Sequence, residues 1–413
     1  MTGTTDGSVT LEGAVVDGKP RDVRIVDGRV HSLHPPGTAP GSDARHDLGG
    51  RSLLPAFCDP HVHLDKVLTA RFAPTRAVGL AGAIDAHSRV VELDVNGHEQ
   101  LVARAMSMLE RMLLRGVLSL RSHVNVGDGL GLLHLHAMAE ARQGFSHLMD
   151  IQLFAMVHTP LSGTDGAVNR AFLRQALEES SVDGIGGCPH LDPEPQTALE
   201  VLFSAAVEAG LPIDLHTDET TDPSLFTLPL LARRSTEAGW QGRVAASHCV
   251  SLGMQHPDVQ HETARVLAEA GVAVVVLPQT NLYLNSVGVT MAPARGLAPV
   301  SVLAAHGVTV AAGSDNLQDP FNPVGDADPL HTASLMVTAA HQLADDALNQ
   351  VSTNGRTVMQ LPVCGVSPGM EADLVALPAT DAAGAIAEGP ADRMVFRRGR
   401  LVAATAVERH VYR

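Results

Sequence analysis

Between about residue 54 and residue 362, short apolar runs alternate with longer stretches whose apolar residues recur every three or four positions. This rhythm predicts strands alternating with helices, and so βα units around a parallel sheet. Eight strands are predicted: Leu54–His63, Val117–Asn125, Asp150–His158, Gly184–Cys188, Ile213–His216, Val244–His248, Ala273–Leu277 and Thr309–Asp315. Helical stretches such as GHEQLVARAMSMLERMLLRG and HETARVLAEAG lie between most of them, the latter stopped by Gly271. Eight such units point to an α/β fold, a (β/α)8 TIM barrel. A doubly wound sheet is the alternative, but no GxGxxG follows the first strand and GIGGC at Gly184 does not supply one.

The two ends of the chain read differently. VRIVDGRVHSL (Val23 to Leu33) alternates apolar and polar residues around Asp27-Gly28, a hairpin turn signal. ADLVALP (Ala372 to Pro378) and MVFRRGRLVAA (Met394 to Ala404) are also strand-like, with Arg398-Gly399 at the turn. Neither end has enough apolar residues for a core of its own, so both are expected to pair in one small β-sandwich. The expected division is 1–53 plus 363–413 for the sandwich and 54–362 for the barrel. Ala379–Ala387 reads as a loop.

Composition narrows the picture. A chain of 413 residues fits one large barrel plus a small partner. Hydrophobic residues at 45% and charged residues at 18% exclude wholesale disorder. A net charge of −16 argues against a nucleic-acid or anionic-membrane surface. No run is apolar and long enough to span a bilayer, and MTGTTDGSVTLEG lacks the pattern of a secretory leader. Four widely spaced cysteines without a CxxC pair argue against a disulfide framework or a zinc knuckle. A cytoplasmic setting is expected. Histidine is abundant at 21 residues, whereas lysine occurs only at Lys19 and Lys66.

The chemistry is expected at the C-terminal ends of the barrel strands. The first strand ends in PHVHLD, where His61 and His63 are two apart and so share one face. The fifth ends in IDLHTDE, giving His216 and Glu219; the sixth in VAASHC, giving His248; the eighth in VAAGSDN, giving Asp315. Three neutral imidazoles and a carboxylate suit one divalent ion, Zn²⁺, Fe²⁺ or Mn²⁺. Such an ion lowers the pKa of its water from ~16 to about 7, and an adjacent carboxylate can move the proton. His248 could instead only orient a neighbour by a hydrogen bond, and Glu219 could be a solvated loop acid.

This pattern resembles the amidohydrolase superfamily, and within it the cytosine deaminase-like group, including the N-isopropylammelide amidohydrolases. LPAFCDPHVHLDK, RSHVNV, GGCPHLDPE, IDLHTDE, VAASHC, NLYLN and SDNLQDPFNPVG each resemble a segment of that group, in the same order. Many superfamily members bridge two metals with a lysine on strand four. DGIGGCPH has no lysine there, which favours the one-metal branch. The resemblance implies that His61, His63, His216 and Asp315 bind the metal. It also implies that Glu219 moves a proton to a ring nitrogen, that His248 stabilises hydroxide, and that Asp315 acts as base. The substrate implied is a planar N-heterocycle that exchanges an amino or substituted-amino group for oxygen. Barrels of this group often assemble as homo-oligomers.

Three departures bear on the substrate. His158 stands where cytosine deaminase carries a glutamine, Asn316 where it carries an aspartate, and Phe321 where it carries a tryptophan. An imidazole offers one donor and one acceptor, whereas an amide offers two donors and an acceptor, so cytosine itself is put in question. His123 and Asn281 are further candidates for the site, His123 as a substrate contact. Phe154 and Phe321 could stack on a ring or pack in the core. His134 and His136 lie in a helical pattern where i and i+2 do not face one another, so they are expected at the surface. Cys58 and Cys249 are expected to be inert. The HExxH motif and the HxE/PCxxC signature of other zinc enzymes are absent. Ring-opening hydrolysis of a cyclic amide is the nearest rival activity, and a non-catalytic ligand-binding barrel is the rival from another class.

Overall fold

The computed structural model of the protein describes residues 7–73 and 79–412. Residues 1–6, which begin the stretch read above for a secretory leader, lie outside the described residues. The chain opens with β1 (Ser8–Val16), β2 (Lys19–Val26), β3 (Arg29–His34), β4 (Ala44–Asp47) and β5 (Ser52–Pro55). The barrel strands follow: β6 (Phe57–Val62), β7 (Val117–Val126), β8 (Asp150–Val157), β9 (Gly184–Gly187), β10 (Ile213–Thr217), β11 (Val244–His248), β12 (Val272–Val276) and β13 (Val310–Ala312). The chain ends with β14 (Leu374–Leu377), β15 (Met394–Arg397) and β16 (Arg400–Ala404).

Strands β6 to β13 form one parallel sheet in sequence order. A parallel bridge between Val62 and Asp315 joins its two ends, so the eight strands close into the expected barrel. Alternation along each strand sorts the side chains. Leu120, Val124, Leu153, Ile185, Leu215, Ala246 and Val274 belong to the large core shared with the surrounding helices. The interleaved residues Arg121, His123, Asp214, His216 and Ser247 are buried as well, and several of them contact one another across the barrel.

The remaining strands form a single sheet, ordered β16-β15-β14-β5-β1-β2-β3 with β4 beside β1. The expected sandwich is therefore one sheet curled over its own core of Leu11, Val23, Ile25, Leu374 and Phe396. The curl is held where Val30 N–H donates to the Met370 carbonyl at 2.9 Å and Gly369 N–H donates to the Val30 carbonyl at 2.8 Å. Three other expectations need correction. The predicted first strand is two strands: β5 pairs with β14 and β1, and the chain changes sheets at Ala56, whose N–H donates to the Asp373 carbonyl. Ala379–Ala387 is not all loop. A helix runs over Ala382–Glu388, because an alanine-rich run follows Asp381, whose carboxylate accepts from Gly384 N–H at 2.8 Å. His134 is fully buried, since at about 100° per residue one histidine of the helical pair faces the barrel while His136 faces water. No helix among the described residues is long and apolar enough to cross a membrane.

Several ion pairs tie the sheet to the barrel, among them the buried pairs Arg356–Asp373 and Arg393–Asp328. Arg393, just before β15, donates to Asp328 Oδ2 at 2.7 Å and to the Arg115 carbonyl at 2.6 Å. The other oxygen of Asp328 caps helix Pro329–Ala340 by accepting from Leu330 N–H. Removing one partner of a buried pair costs roughly 3–5 kcal/mol. Arg393→Met is expected to lower stability by about 3 kcal/mol, the low end because Arg115 also reaches Asp328. Urea unfolding measures this, and a loss below about 1 kcal/mol would remove Arg393 from that role.

Candidate functional site

The closure of the barrel builds the centre of the site. Asp315 N–H donates to the His61 carbonyl at 2.9 Å and His63 N–H donates to the Asp315 carbonyl at 3.1 Å. These two backbone bonds set His61, His63 and Asp315 side by side. His216, at the end of β10, completes the group, and one donor atom from each of the four lies within 4.8 Å of the others. His63 Nε2 is 3.1 Å from His216 Nε2 and 3.2 Å from Asp315 Oδ1, and His61 Nε2 is 3.5 Å from the same oxygen. Asp315, His248 and Asp218 have φ values of +61°, +69° and +52°. Non-glycine residues held in this left-handed region are strained, and such strain gathers at functional sites.

The four donors fit a metal ion. Burial drives the imidazoles of His61, His63 and His216 below their ordinary pKa, His63 to about 4, so each is neutral as ligation requires. His61 Nδ1 lies 2.9 Å from Ser247 Oγ, which donates to Asp214 Oδ1 at 2.7 Å; His63 Nδ1 lies 3.2 Å from the His123 carbonyl. The carbonyl can only accept, and the Ser247 proton is committed to Asp214, so both histidines carry their proton on Nδ1. Their Nε2 lone pairs therefore face the centre. His61 Nε2 and both oxygens of Asp315 are buried without a hydrogen-bond partner among the described residues. Burial alone would raise the Asp315 carboxyl, but His63, His248 and Lys66 hold it below its ordinary value. Buried ligand-type atoms without a partner, converging from His61 and Asp315 on one centre, are what a cation resolves.

Glu219 and His248 adjoin this centre. Burial, and then the charge of Asp315, push the Glu219 carboxyl well above its ordinary pKa. His248 Nδ1 is 3.5 Å from Glu219 Oε1 and accepts from Asn281 Nδ2 at 2.9 Å. That bond leaves the His248 proton on Nε2, which has no other partner among the described residues and lies 4.0 Å from Asp315 Oδ2. Asn281 is thus the residue that orients His248. The thiols of Cys58 and Cys249 are buried and pushed up, Cys58 to about 12, so neither supplies a thiolate.

A cavity of about 530 Å³ opens above these groups. His63, His216, Glu219, His248 and Asp315 line its inner end, and His158, Asn316 and Phe321 line its walls. His158 has its imidazole pKa lowered by burial and by Lys66. The Asn316 amide is already engaged, donating to Asp319 Oδ2 at 2.8 Å and accepting from Thr280 Oγ1 at 3.3 Å. His123 does not line this cavity. It is fully buried beneath it, its ring 4.0 Å from that of His61 and its Nε2 3.6 Å from Asp214 Oδ2. Phe154 is fully buried beside His123 and Arg121, in the core and not against the cavity. Several residues around the site were not read from the sequence, among them Asp214, Ser247, Asp65 and Lys66. Asp214 and Ser247 stand two and one positions before ligand-type histidines, a spacing that carries a signal only once strand register is known. Asp65 holds His134 and Asn125. Lys66 lines the cavity, and its one signal was the rarity of lysine.

Comparison with known proteins identifies the family. A pterin deaminase of Rhizobium rhizogenes is 31% identical over 390 residues, covering 92% of this chain and 87% of its own. The crystal structure of a 5-methylcytosine deaminase from Klebsiella pneumoniae, liganded with 5-fluorocytosine, superposes with a TM-score of 0.87 at 25% identity, covering 98% of this chain and 99% of that one. That of an N-isopropylammelide isopropylaminohydrolase from Burkholderia multivorans gives 0.82 at 26% identity, covering 96% and 98%. Residues 160–407 match the model of the amidohydrolase family, and the chain belongs to that family.

Proposed function

We propose that this protein is a metal-dependent deaminase that replaces an amino or substituted-amino group of a planar N-heterocycle with oxygen. The observation that carries the reading is the four-donor centre of His61, His63, His216 and Asp315, with Glu219 and His248 beside it at the floor of the cavity. The relatives named as deaminases of pterin and 5-methylcytosine support the substrate class. A single set of four donors calls for one ion, and Zn²⁺, Fe²⁺ and Mn²⁺ all suit it. The cytoplasm is the proposed setting.

His61, His63, His216 and Asp315 would hold a divalent ion, which would supply Lewis acidity enough to bring the pKa of a water there to about 7. The remaining steps belong to side chains. Asp315 accepts the proton of the attacking water on an oxygen that has no hydrogen bond. His248 Nε2–H points toward the same oxygen-rich centre and stabilises the oxygen that adds to the ring carbon. Glu219, whose carboxyl is pushed toward its acid form by burial and by the Asp315 charge, protonates the ring nitrogen, so negative charge does not build there. Collapse expels ammonia or an amine, which takes the proton held by Asp315, while the hydroxyl proton of the adduct passes back to Glu219 as the carbonyl forms. His158 and Phe321 face the ring, while Asn316, its amide held by Asp319 and Thr280, shapes the wall beside it. His123 supports His61 from below.

The direct test is ammonia and amine release by metal-loaded protein across aminopyrimidines, aminotriazines and pterins, cytosine included. Turnover of at least one is expected, and silence across the panel with metal bound would overturn the reading in favour of ring-opening chemistry. Glu219→Gln should retain metal and lose about 10²–10⁴-fold in kcat, the scale of general acid–base catalysis. A variant active to within a few-fold would remove Glu219 from proton transfer. Ser247→Ala breaks the link between His61 and Asp214 without touching a ligand atom. Partners of ligand histidines typically contribute 10–100-fold to metal affinity, so metal dissociation measured with a competing chelator should tighten or loosen by less than twofold only if this link is idle. The expected result is about tenfold weaker binding.

A further inference from the structure

Lys66 is one of two lysines in the chain, and it is buried, with 5% of its surface exposed. It follows the end of β6 and lines the cavity, whose other lining residues among those described include no lysine or arginine. Among the described residues its Nζ makes no ion pair or hydrogen bond, although Thr69 and His63 engage its backbone. Its one contact of note is the face of Phe321, whose ring centre is 4.8 Å from Nζ. Phe321 is in turn packed by Leu80 and Ala83 of helix Gly79–Val91 and by Tyr283 and Leu284 of helix Pro278–Leu284.

The Lys66 stem is buried, and a charge drawn this far from bulk water ordinarily finds a carboxylate. A ring face positions a cation but takes up none of its N–H donors. Lys66 is thus held in place with its hydrogen-bonding capacity unspent, facing a cavity. His87 stands beside it, its ring 5.9 Å from that of Phe321 and its buried Nδ1 without a hydrogen-bond partner among the described residues. Both residues line the same cavity as His216 and Glu219, and its volume of about 530 Å³ leaves room beyond one small ring.

We propose that Lys66, with His87 beside it, forms a second recognition point for an electronegative oxygen on the substrate. The substrate class is then an amino-substituted N-heterocycle that carries an oxo or carboxylate oxygen on an edge away from the leaving amine. This rests on the deaminase reading above and adds the feature that selects among its substrates. Phe321 is the platform that aims the ammonium. His87 adds a neutral donor or acceptor to the same oxygen.

The experiment compares wild type with Lys66→Met and Lys66→Arg on two matched pairs, 4-aminopyrimidine with cytosine and pterin with pterin-6-carboxylate. The first pair adds an oxo group and the second a carboxylate. Wild type should favour the oxygenated member of at least one pair, and Lys66→Met should erase that preference by about tenfold to a hundredfold, the scale of a hydrogen bond to a charged group. The change should fall on KM more than on kcat, and Lys66→Arg should restore part of it. Equal loss on both members of each pair would overturn the proposal and leave Lys66 as a general neutralising charge. So would an unchanged ratio in a folded Lys66→Met that retains metal. Equilibrium dissociation constants for the same four compounds, measured by calorimetry, keep the two ideas separable. If wild type turns over none of them yet binds the oxygenated members more tightly through Lys66, the deaminase reading fails and the recognition point stands. Binding of none overturns both.

Discussion

The site depends on how the barrel closes. Strand β13 is three residues long, and its own pairing with β12 ends at Ala312. Closure is made beyond the strand, where Asp315 exchanges backbone hydrogen bonds with His61 and His63. To make them, Asp315 adopts a left-handed backbone that a non-glycine residue enters only at a cost of about 1–3 kcal/mol. The same turn aims its carboxylate at the two imidazoles. The backbone that completes the sheet is therefore the backbone that assembles three of the four donors, and the strain is offset by the closure of the whole sheet. Asp59 reinforces the seam, accepting from Ser314 N–H at 3.2 Å and from the Ser314 hydroxyl.

A second layer of polar groups determines which ring nitrogen each histidine presents. Arg121 is 2% exposed and donates to Asp214, Gln152 and the Val358 carbonyl. Burial would raise the Asp214 carboxyl, but His123, Arg121 and Ser247 hold it far below its ordinary value. An ionised Asp214 commits the Ser247 proton, and the committed Ser247 leaves only an acceptor for His61. Proton placement at His61 is thus settled two residues away, by a charge in the barrel interior. On the other side, Asn281 does the same for His248 with the opposite result, a proton on Nε2. One histidine offers a lone pair and its neighbour a proton, although burial keeps both neutral.

The sequence made legible what alternation and strand ends encode. His61, His63, His216 and Asp315 could be grouped because a period of two places i and i+2 on one face and because barrel chemistry gathers at one end. The split of the first strand into β5 and β6 was not legible, since Leu54 to Cys58 is apolar across the break and only tertiary pairing tells Pro55 from Phe57. Helix Ala382–Glu388 was hidden by its glycine, whose cost the Asp381 cap offsets. His134 was misplaced because spacing says that two helical residues diverge but not which one faces inward; Asp65 decides it. Lys66 was illegible for a related reason. A lysine after a strand is ordinarily solvated, and its burial follows from two helices that meet over Phe321 from distant parts of the chain.

The cavity joins two kinds of construction. Its inner end is set by backbone bonds at strand ends, where a change of one residue would shift the register of closure and displace every donor. Its walls are set by side chains on loops and helices: His158 after β8, Phe321 after β13, and Ile84 and His87 on helix Gly79–Val91. Substitution there changes which hydrogen bonds the cavity offers and leaves the backbone seam intact. The three departures at His158, Asn316 and Phe321 all fall on this outer part. Chemistry held by main-chain geometry and selectivity carried by side chains can therefore change separately, and Asn316 shows the boundary between them. It is one residue from Asp315, yet its amide is turned away into Asp319 and Thr280, where it shapes the wall without touching the seam.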